Sequence, residues 1–321
     1  MRVVSLIPSA TEIVCLLAGA ESLVGRSHEC DHPPEAARAE ALTDQRTTLD
    51  TPSAIDAQVA NAVASGQSLY HLHADRLRNL APDLIITQDL CPVCAIEPGA
   101  VHALARELDP SPPVLALHPE SLEDVYDDII RIGEAMALGD RARRLVVELR
   151  ERFHEAADHV NPYTEPVRTL FLEWTDPPYV GGHWTVQFIE RAGGTHPLNP
   201  TAPLPGAGSG AGGQMAHRIA GPSTRVTVDE IVESQPDAVI VCPCAVPLER
   251  VRTETEALMR TDWFPTLPGV RNGRVALVDG NQMFNRPGPR LIDAYRWLVG
   301  WLNDVPHLIP ENFPWSAYTP R

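Results

Sequence analysis

The chain has 321 residues, which is enough for two lobes of ordinary domain size, each with its own hydrophobic core. Its formal net charge of −16 argues against nucleic acid and anionic membrane surfaces as partners. All 26 basic residues are arginine, so a phosphate-loop lysine and a Schiff-base lysine are both excluded. The sequence contains no run of about 18 apolar residues, so it predicts no membrane-spanning helix.

The first residues pass directly into a short apolar run, without the long apolar region and cleavage site of a secretion signal. The sequence as given therefore predicts a cytoplasmic protein, and an extracytoplasmic one if a leader has been removed. In a reducing compartment the six cysteines are expected to be thiols or metal ligands rather than a disulfide framework.

Short apolar strands alternate with helices through the first half of the chain. The predicted strands are Val3–Pro8, Leu23–Ser27, Leu84–Thr87 and Val114–Leu117. The predicted helices are one opened by a capping box at Ser9, a polar helical stretch over Thr47–Leu80, and Pro98–Leu108. This alternation is typical of an α/β fold with a mostly parallel sheet covered by helices.

Two longer helices are predicted in the middle of the chain. Ser121–Ala137 opens with a Ser-x-x-Asp cap, and Asp140–Val160 ends where Pro162 prevents a helix from continuing. A helix of about twenty residues is roughly 30 Å long and could join two lobes. We therefore expect an N-terminal lobe at residues 1–139, a connecting helix at 140–160 and a C-terminal lobe at 161–321. The alternative is two surface helices of one large domain.

The second half repeats the β/α order without a detectable sequence repeat. Its predicted strands are Val167–Glu173, Ala238–Val241 and Arg274–Val278. Its predicted helices are Trp184–Ala192, Val228–Ser234, Pro247–Met259 and a closing helix from Pro289 to about Leu302. The segment Pro197–Gly213 is rich in Pro, Gly and Ala and is predicted to be a loop, either a lid or an untethered surface loop.

Five of the six cysteines lie in loops that follow predicted strands, and parallel sheets bind ligands beyond the carboxyl ends of their strands. Cys91 and Cys94 could chelate a soft metal, form a reversible disulfide, or be incidental thiols. Cys242 and Cys244 would face the same side of an extended strand, and Cys244, nearer the loop, is the better candidate. Four thiolates are the usual ligand set of an iron–sulfur cluster or a structural zinc. The candidate metal ligands are Cys30, Cys91, Cys94 and Cys244.

Aromatic side chains are also predicted on strand-end loops, where they offer flat apolar surfaces to a large ring. These residues are Trp174, Tyr179, Trp184 and Phe284. No pair of carboxylates, Gly-x-Ser-x-Gly motif or Ser/His/Asp set stands out, so the sequence gives little support to an enzyme.

Four stretches, taken in order, resemble the iron-chelate/vitamin B12 class of substrate-binding proteins. They are Val3–Glu12, Leu23–Pro33, Thr87–Cys94 and Asn285–Arg290. The chain looks most like the cysteine-containing branch of that class, whose members are usually labelled cobalamin-binding or ABC-transporter substrate-binding. The resemblance implies two α/β lobes joined by a rigid backbone helix, with a ligand cleft between the lobes and an ABC transporter as partner. It also implies a corrinoid held by aromatic and polar loop residues, and Asn285 and Arg286 join the aromatic candidates on that ground.

We therefore expect a binder of a metal-containing ligand, with a corrinoid (cobalamin type) first on family grounds. Two features depart from that expectation: an exported receptor should carry a signal, and a corrinoid, whose cobalt is enclosed by its own ring, needs no protein thiols. One alternative is an intracellular protein of the same fold that binds an iron–sulfur cluster or zinc through the cysteines. Another is an enzyme that uses the cleft for redox chemistry or cofactor handling.

Overall fold

The structure is a computed structural model that describes residues 1–48, 51–89, 96, 98–204 and 218–319. The chain divides into two compact units. Unit 1 consists of Met1–Leu149 with Pro287–Pro289, and unit 2 of Arg150–Arg286 with Arg290–Arg321. Unit 1 is built on a parallel sheet and unit 2 on a mixed sheet with parallel central strands, each with helices, which confirms the predicted α/β fold class.

Unit 1 has one parallel sheet and one small antiparallel pair. Its described strands are β1 (Val3–Ser5), β2 (Leu23–Arg26), β3 (Glu40–Ala41), β4 (Thr43–Gln45), β5 (Tyr70–Leu72), β6 (Leu84–Gln88) and β7 (Val114–Leu117). Its described helices are α1 (Pro8–Ala18), α2 (Pro52–Ala64), α3 (Ala74–Leu80), α4 (Pro98–Arg106), α5 (Leu122–Ala135) and the first part of α6 (Gly139–Ala157). The sheet has the order β3-β2-β1-β6-β7 with all pairs parallel, and β4 pairs with β5.

Local sequence explains most of these elements. Helix α5 begins with the predicted capping box, in which the Ser121 hydroxyl accepts from the Asp124 amide and the Asp124 carboxylate accepts from the Ser121 amide. The predicted cap at Ser9 is wrong, because α1 begins at Pro8, and proline suits the first turn of a helix. The helical prediction for Thr47–Leu80 is wrong at β5, which interrupts it between α2 and α3.

Helix α6 belongs partly to each unit, since the division falls between Leu149 and Arg150. The expected lobe limits at residues 139 and 160 stay predictions. Among the helices that the structure describes, none combines the length and the hydropathy of a membrane span.

Unit 2 has a larger mixed sheet. Its described strands are β8 (Val167–Thr175), β9 (Pro178–Val180), β10 (Gly194–Thr195), β11 (Ala202–Pro203), β12 (Arg218–Ile219), β13 (Thr224–Arg225), β14 (Ala238–Val241), β15 (Val275–Val278) and β16 (Trp315–Ala317). Its described helices, after the end of α6, are α7 (His183–Arg191), α8 (Val228–Glu233), α9 (Leu248–Leu258), α10 (Pro268–Arg271) and α11 (Leu291–Leu302). The main sheet has the order β13-β9-β8-β14-β15-β16, with β10 on β8. Most of the loop predicted at Pro197–Gly213 lies outside the described residues.

The three central strands of unit 2, β8, β14 and β15, are parallel, so their carboxyl ends share one edge of the sheet. Pairing between β14 and β8 continues past β14, because the amide of Cys242 donates to the carbonyl of Leu172 at 2.9 Å and the amide of Cys244 to that of Glu173 at 3.0 Å. The loop after β15 packs closely on this segment: a Cβ at Gly280 would lie 1.9 Å from the carbonyl oxygen of Pro243. Only glycine fits there, and the two strand-end loops are held together.

Candidate functional site

Two partly exposed aromatic side chains lie together at the carboxyl edge of unit 2. Trp174 on β8 and Tyr179 on β9 are directly opposite each other in the antiparallel β8–β9 hairpin, and opposite residues of such a pair project to the same face. The indole N–H of Trp174 donates to the carbonyl of Asp176 at 3.2 Å, and its ring packs partly against the core of unit 2. We call Trp174 and Tyr179 the aromatic pair.

The other two predicted aromatic residues are buried. Trp184 on α7 is 7% exposed, and its indole N–H donates to the carbonyl of Phe284 at 2.6 Å. Phe284 is 1% exposed and packs edge-on against Phe171, with 5.1 Å between ring centroids. Phe284 has φ +61°, a conformation that non-glycine residues rarely adopt, and the bond from Trp184 holds it. These two rings therefore support the loop after β15, and their ligand-binding role stays a prediction.

The predicted polar residues Asn285 and Arg286 make hydrogen bonds within the same loop. The Asn285 amide donates to the carbonyl of Gly280 at 2.8 Å, and the guanidinium of Arg286, which is buried, donates to the side-chain oxygen of Asn281 at 3.1 Å. In this state both side chains stabilise the loop that follows β15. Whether they also contact a ligand stays a prediction.

The two cysteines after β14 have different environments. Cys242 is fully buried, with its sulfur 3.8 Å from the carbonyl of Met283, and burial together with the negative charge of Glu173 raises the pKa of its thiol well above the usual value. Cys244 is only partly buried. The carboxylate of Glu173 accepts from the Ser223 hydroxyl at 2.7 Å. Cys242 is therefore a core thiol, and Cys244 is the more accessible of the two, as expected from its place nearer the loop.

In unit 1, Cys30 follows β2 and is fully buried. The Thr11 hydroxyl on α1 donates to the Cys30 sulfur at 3.0 Å. Cys91 and Cys94 lie outside the residues that the structure describes. Among the described residues, no three His, Cys, Asp or Glu side chains are grouped as a metal site would require. The four-cysteine site therefore has no support here and stays a prediction.

A further group of polar side chains lies in unit 1, outside the predicted site residues. His28 Nδ1 lies 2.7 Å from the Thr43 hydroxyl, the Tyr70 hydroxyl donates to Glu29 Oε1 at 3.2 Å, and the His28 and Tyr70 rings are 5.7 Å apart. Burial lowers the pKa of His28, which favours neutral imidazole. Tyr70 was missed because its segment was predicted to be helical. The alternation of Tyr70 and Leu72 with two histidines was the signal for strand β5.

Two α/β units with candidate ligand residues at strand ends are the architecture of a substrate-binding protein. Residues 3–281 match the family described as periplasmic binding protein, and the chain belongs to this family, which confirms the predicted class.

Individual relatives are distant. The chain is 22% identical over 312 residues to the vitamin B12-binding protein of Pectobacterium atrosepticum, covering 95% of this chain and 89% of that protein. It is also 22% identical over 302 residues to YvrC, an uncharacterized ABC transporter substrate-binding lipoprotein of Bacillus subtilis, covering 93% and 78%. A solved structure of the periplasmic heme-binding protein RhuT from Roseiflexus sp. RS-1 is 22% identical with a TM-score of 0.67, covering 95% of this chain and 98% of RhuT. At that identity the structural similarity shows the fold alone.

Proposed function

We propose that this chain binds a metal-containing tetrapyrrole, with a corrinoid of the cobalamin type as the first candidate. The observation that carries the proposal is the aromatic pair Trp174 and Tyr179, partly exposed at the carboxyl edge of unit 2. Partly exposed aromatic rings at a strand-end edge suit a broad, flat and largely apolar ligand. The relatives support the class of ligand, since one is named for vitamin B12 and another for heme.

Heme is the second candidate, and the polar group of unit 1 favours it. Phenol oxygen and neutral imidazole nitrogen can each occupy an axial position on heme iron. Tyr70 and His28 supply these two groups, and His28 Nε2, a buried atom, has no hydrogen-bond partner among the described residues. Cyanocobalamin would place less demand on them, because its cobalt already carries ligands on both axial positions.

The proposed partner is an ABC transporter, to which the loaded protein would deliver its ligand. YvrC, which matches most of this chain, is named as a substrate-binding lipoprotein of such a transporter. The proposed place of action is extracytoplasmic, because the family is described as periplasmic. This proposal replaces the cytoplasmic expectation, for which the comparisons give no support. Within the described ranges, no observation favours the iron–sulfur, zinc or enzyme alternatives.

The direct test is an equilibrium titration of the purified chain with cyanocobalamin and, separately, with hemin, followed by absorbance. We expect saturation at one ligand per chain with one of the two, and competition when both are present. A chain that saturates with neither ligand would contradict the proposed function.

A further inference from the structure

A buried carboxylate joins the hairpin that carries the aromatic pair to helix α9. Thr175, which follows Trp174 and is 5% exposed, donates through its hydroxyl to Glu254 Oε2 at 2.8 Å. Glu254 is 7% exposed, and its other oxygen accepts from Arg250 Nε at 3.1 Å. Carboxylates are rarely buried unless they are paired, so this arrangement needs both partners.

Helix α9 offers a fixed point for this contact. Val251 and Leu258 lie in the hydrophobic core of unit 2, and Glu254 is three and four residues away from them, on the same face of the helix. The core therefore fixes the position of the carboxylate. Glu254 forms an ion pair with Arg250, one turn earlier on the same helix.

The strand pairing on the outer side of the hairpin is short. Strand β9 is three residues long, and its outer neighbour β13 pairs with it over only two residues. Trp174 is the residue before Thr175, and its ring packs partly against the same hydrophobic core that contains Val251 and Leu258 of α9. A bond that holds Thr175 on α9 therefore restricts the position of the adjacent Trp174 ring.

We infer that Glu254 is a positioning residue for the aromatic pair: through Thr175 it holds the Trp174–Tyr179 hairpin in the orientation that contacts the ligand. This inference rests on the proposed function and names a residue that acts on the site without being part of its surface. A surface held in its binding geometry loses less conformational freedom when the ligand binds, and affinity rises accordingly.

The test compares Thr175→Val, which keeps the shape of the side chain and removes the donor, with Thr175→Ser, which keeps the hydroxyl. Loss of one hydrogen bond to a buried carboxylate should weaken binding of cyanocobalamin or hemin by roughly three- to tenfold in Thr175→Val. Thr175→Ser should stay within about twofold of wild type. Arg168→Gln is the matched control, because it removes the ion pair with Asp237 at the amino end of β8, and it should leave affinity unchanged.

A second readout needs no ligand. The near-ultraviolet circular dichroism that is lost in Trp174→Phe belongs to the Trp174 ring, and Thr175→Val should weaken that signal while Thr175→Ser keeps it. Wild-type affinity and an unchanged Trp174 signal in Thr175→Val would overturn the inference, as would equal effects of Val and Ser. If wild type binds neither ligand, the proposed function fails, and the dichroism alone decides whether Glu254 orients the hairpin.

Discussion

The strand ends of the two units carry different chemistry. In unit 1 the loop after β2 buries Cys30 beneath Thr11 and sets His28 beside Tyr70, so its groups are polar and capable of metal ligation. In unit 2 the corresponding edge presents the aromatic pair, while its polar residues hold the loop after β15. Under the proposed function, the aromatic pair of unit 2 offers contact area to a flat ring, while unit 1 contains groups whose chemistry suits metal ligation.

The largest expected effect is on the aromatic pair. Trp174→Ala should weaken binding of the preferred tetrapyrrole at least about tenfold, because central aromatic contacts commonly carry more than 1.4 kcal/mol of binding free energy. Titration by absorbance measures the change. Trp263→Ala is the control, since Trp263 is also partly exposed but lies between α9 and α10, before the amino end of β15. Equal affinity of Trp174→Ala and wild type would remove unit 2 from ligand recognition.

The next effect is on Tyr70 of unit 1 and is expected with hemin only. Tyr70→Phe should weaken hemin binding about fivefold and shift its absorbance bands if the phenol ligates the iron. Binding of cyanocobalamin and of metal-free protoporphyrin should not change, since neither offers an open metal position. Identical hemin spectra in wild type and Tyr70→Phe would exclude Tyr70 as an iron ligand.

Two buried groups predict opposite pH dependence of stability in the two units. Burial raises the pKa of Asp128 on α5 to about 6, even with Arg131 nearby. The stabilisation of the fold by the protonated side chain is therefore fully present below pH 3.8 and is lost as the pH rises through 6. Burial lowers the pKa of His196 in unit 2 to about 4. The stabilisation of the fold by the neutral imidazole is therefore present above pH 6.5 and is lost as the pH falls.

Thermal unfolding between pH 4.5 and 7.5 measures both contributions. Asp128→Asn should gain stability over wild type at pH 7.5, by a few degrees, and that gain should shrink toward pH 4.5. The unfolding temperature of His196→Gln should rise relative to that of wild type as the pH falls. If both differences from wild type move in the same direction with pH, the account of these two groups is wrong.

The smallest expected effect concerns the thiols. Cys244→Ser should leave tetrapyrrole affinity within about twofold and the metal content of protein purified without oxygen unchanged, because the proposed ligand brings its own metal and the proposed contact is made by the aromatic pair. Metal analysis checks this outcome directly. Loss of bound iron or zinc in Cys244→Ser would contradict this prediction and support the four-cysteine metal site.

Much of the fold is local enough to be predicted from sequence. The alternation of short apolar strands with capped helices defines the α/β class, and the Ser121 cap falls where the sequence places it. Spatial contacts between distant residues could not be predicted in this way. Thr175 and Glu254 are 79 residues apart, and nothing in either local sequence indicates their hydrogen bond.

The burial of individual site residues also could not be predicted from the sequence. Trp184 and Phe284 follow strands, as the aromatic prediction requires, but α7 and the loop after β15 turn both rings into the core. The same holds for Cys242 and Cys244: regular strand geometry would give them a common face, yet Pro243 follows the end of β14, and one thiol is buried while the other is partly exposed.

The central claim is that the aromatic pair of unit 2 contacts a metal-containing tetrapyrrole. A crystal structure of the chain with bound cyanocobalamin or hemin tests it most directly. The account predicts that the Trp174 ring lies in van der Waals contact with the macrocycle or its substituents and that Tyr179 contacts the same face. A complex in which the ligand leaves both rings uncovered would contradict it.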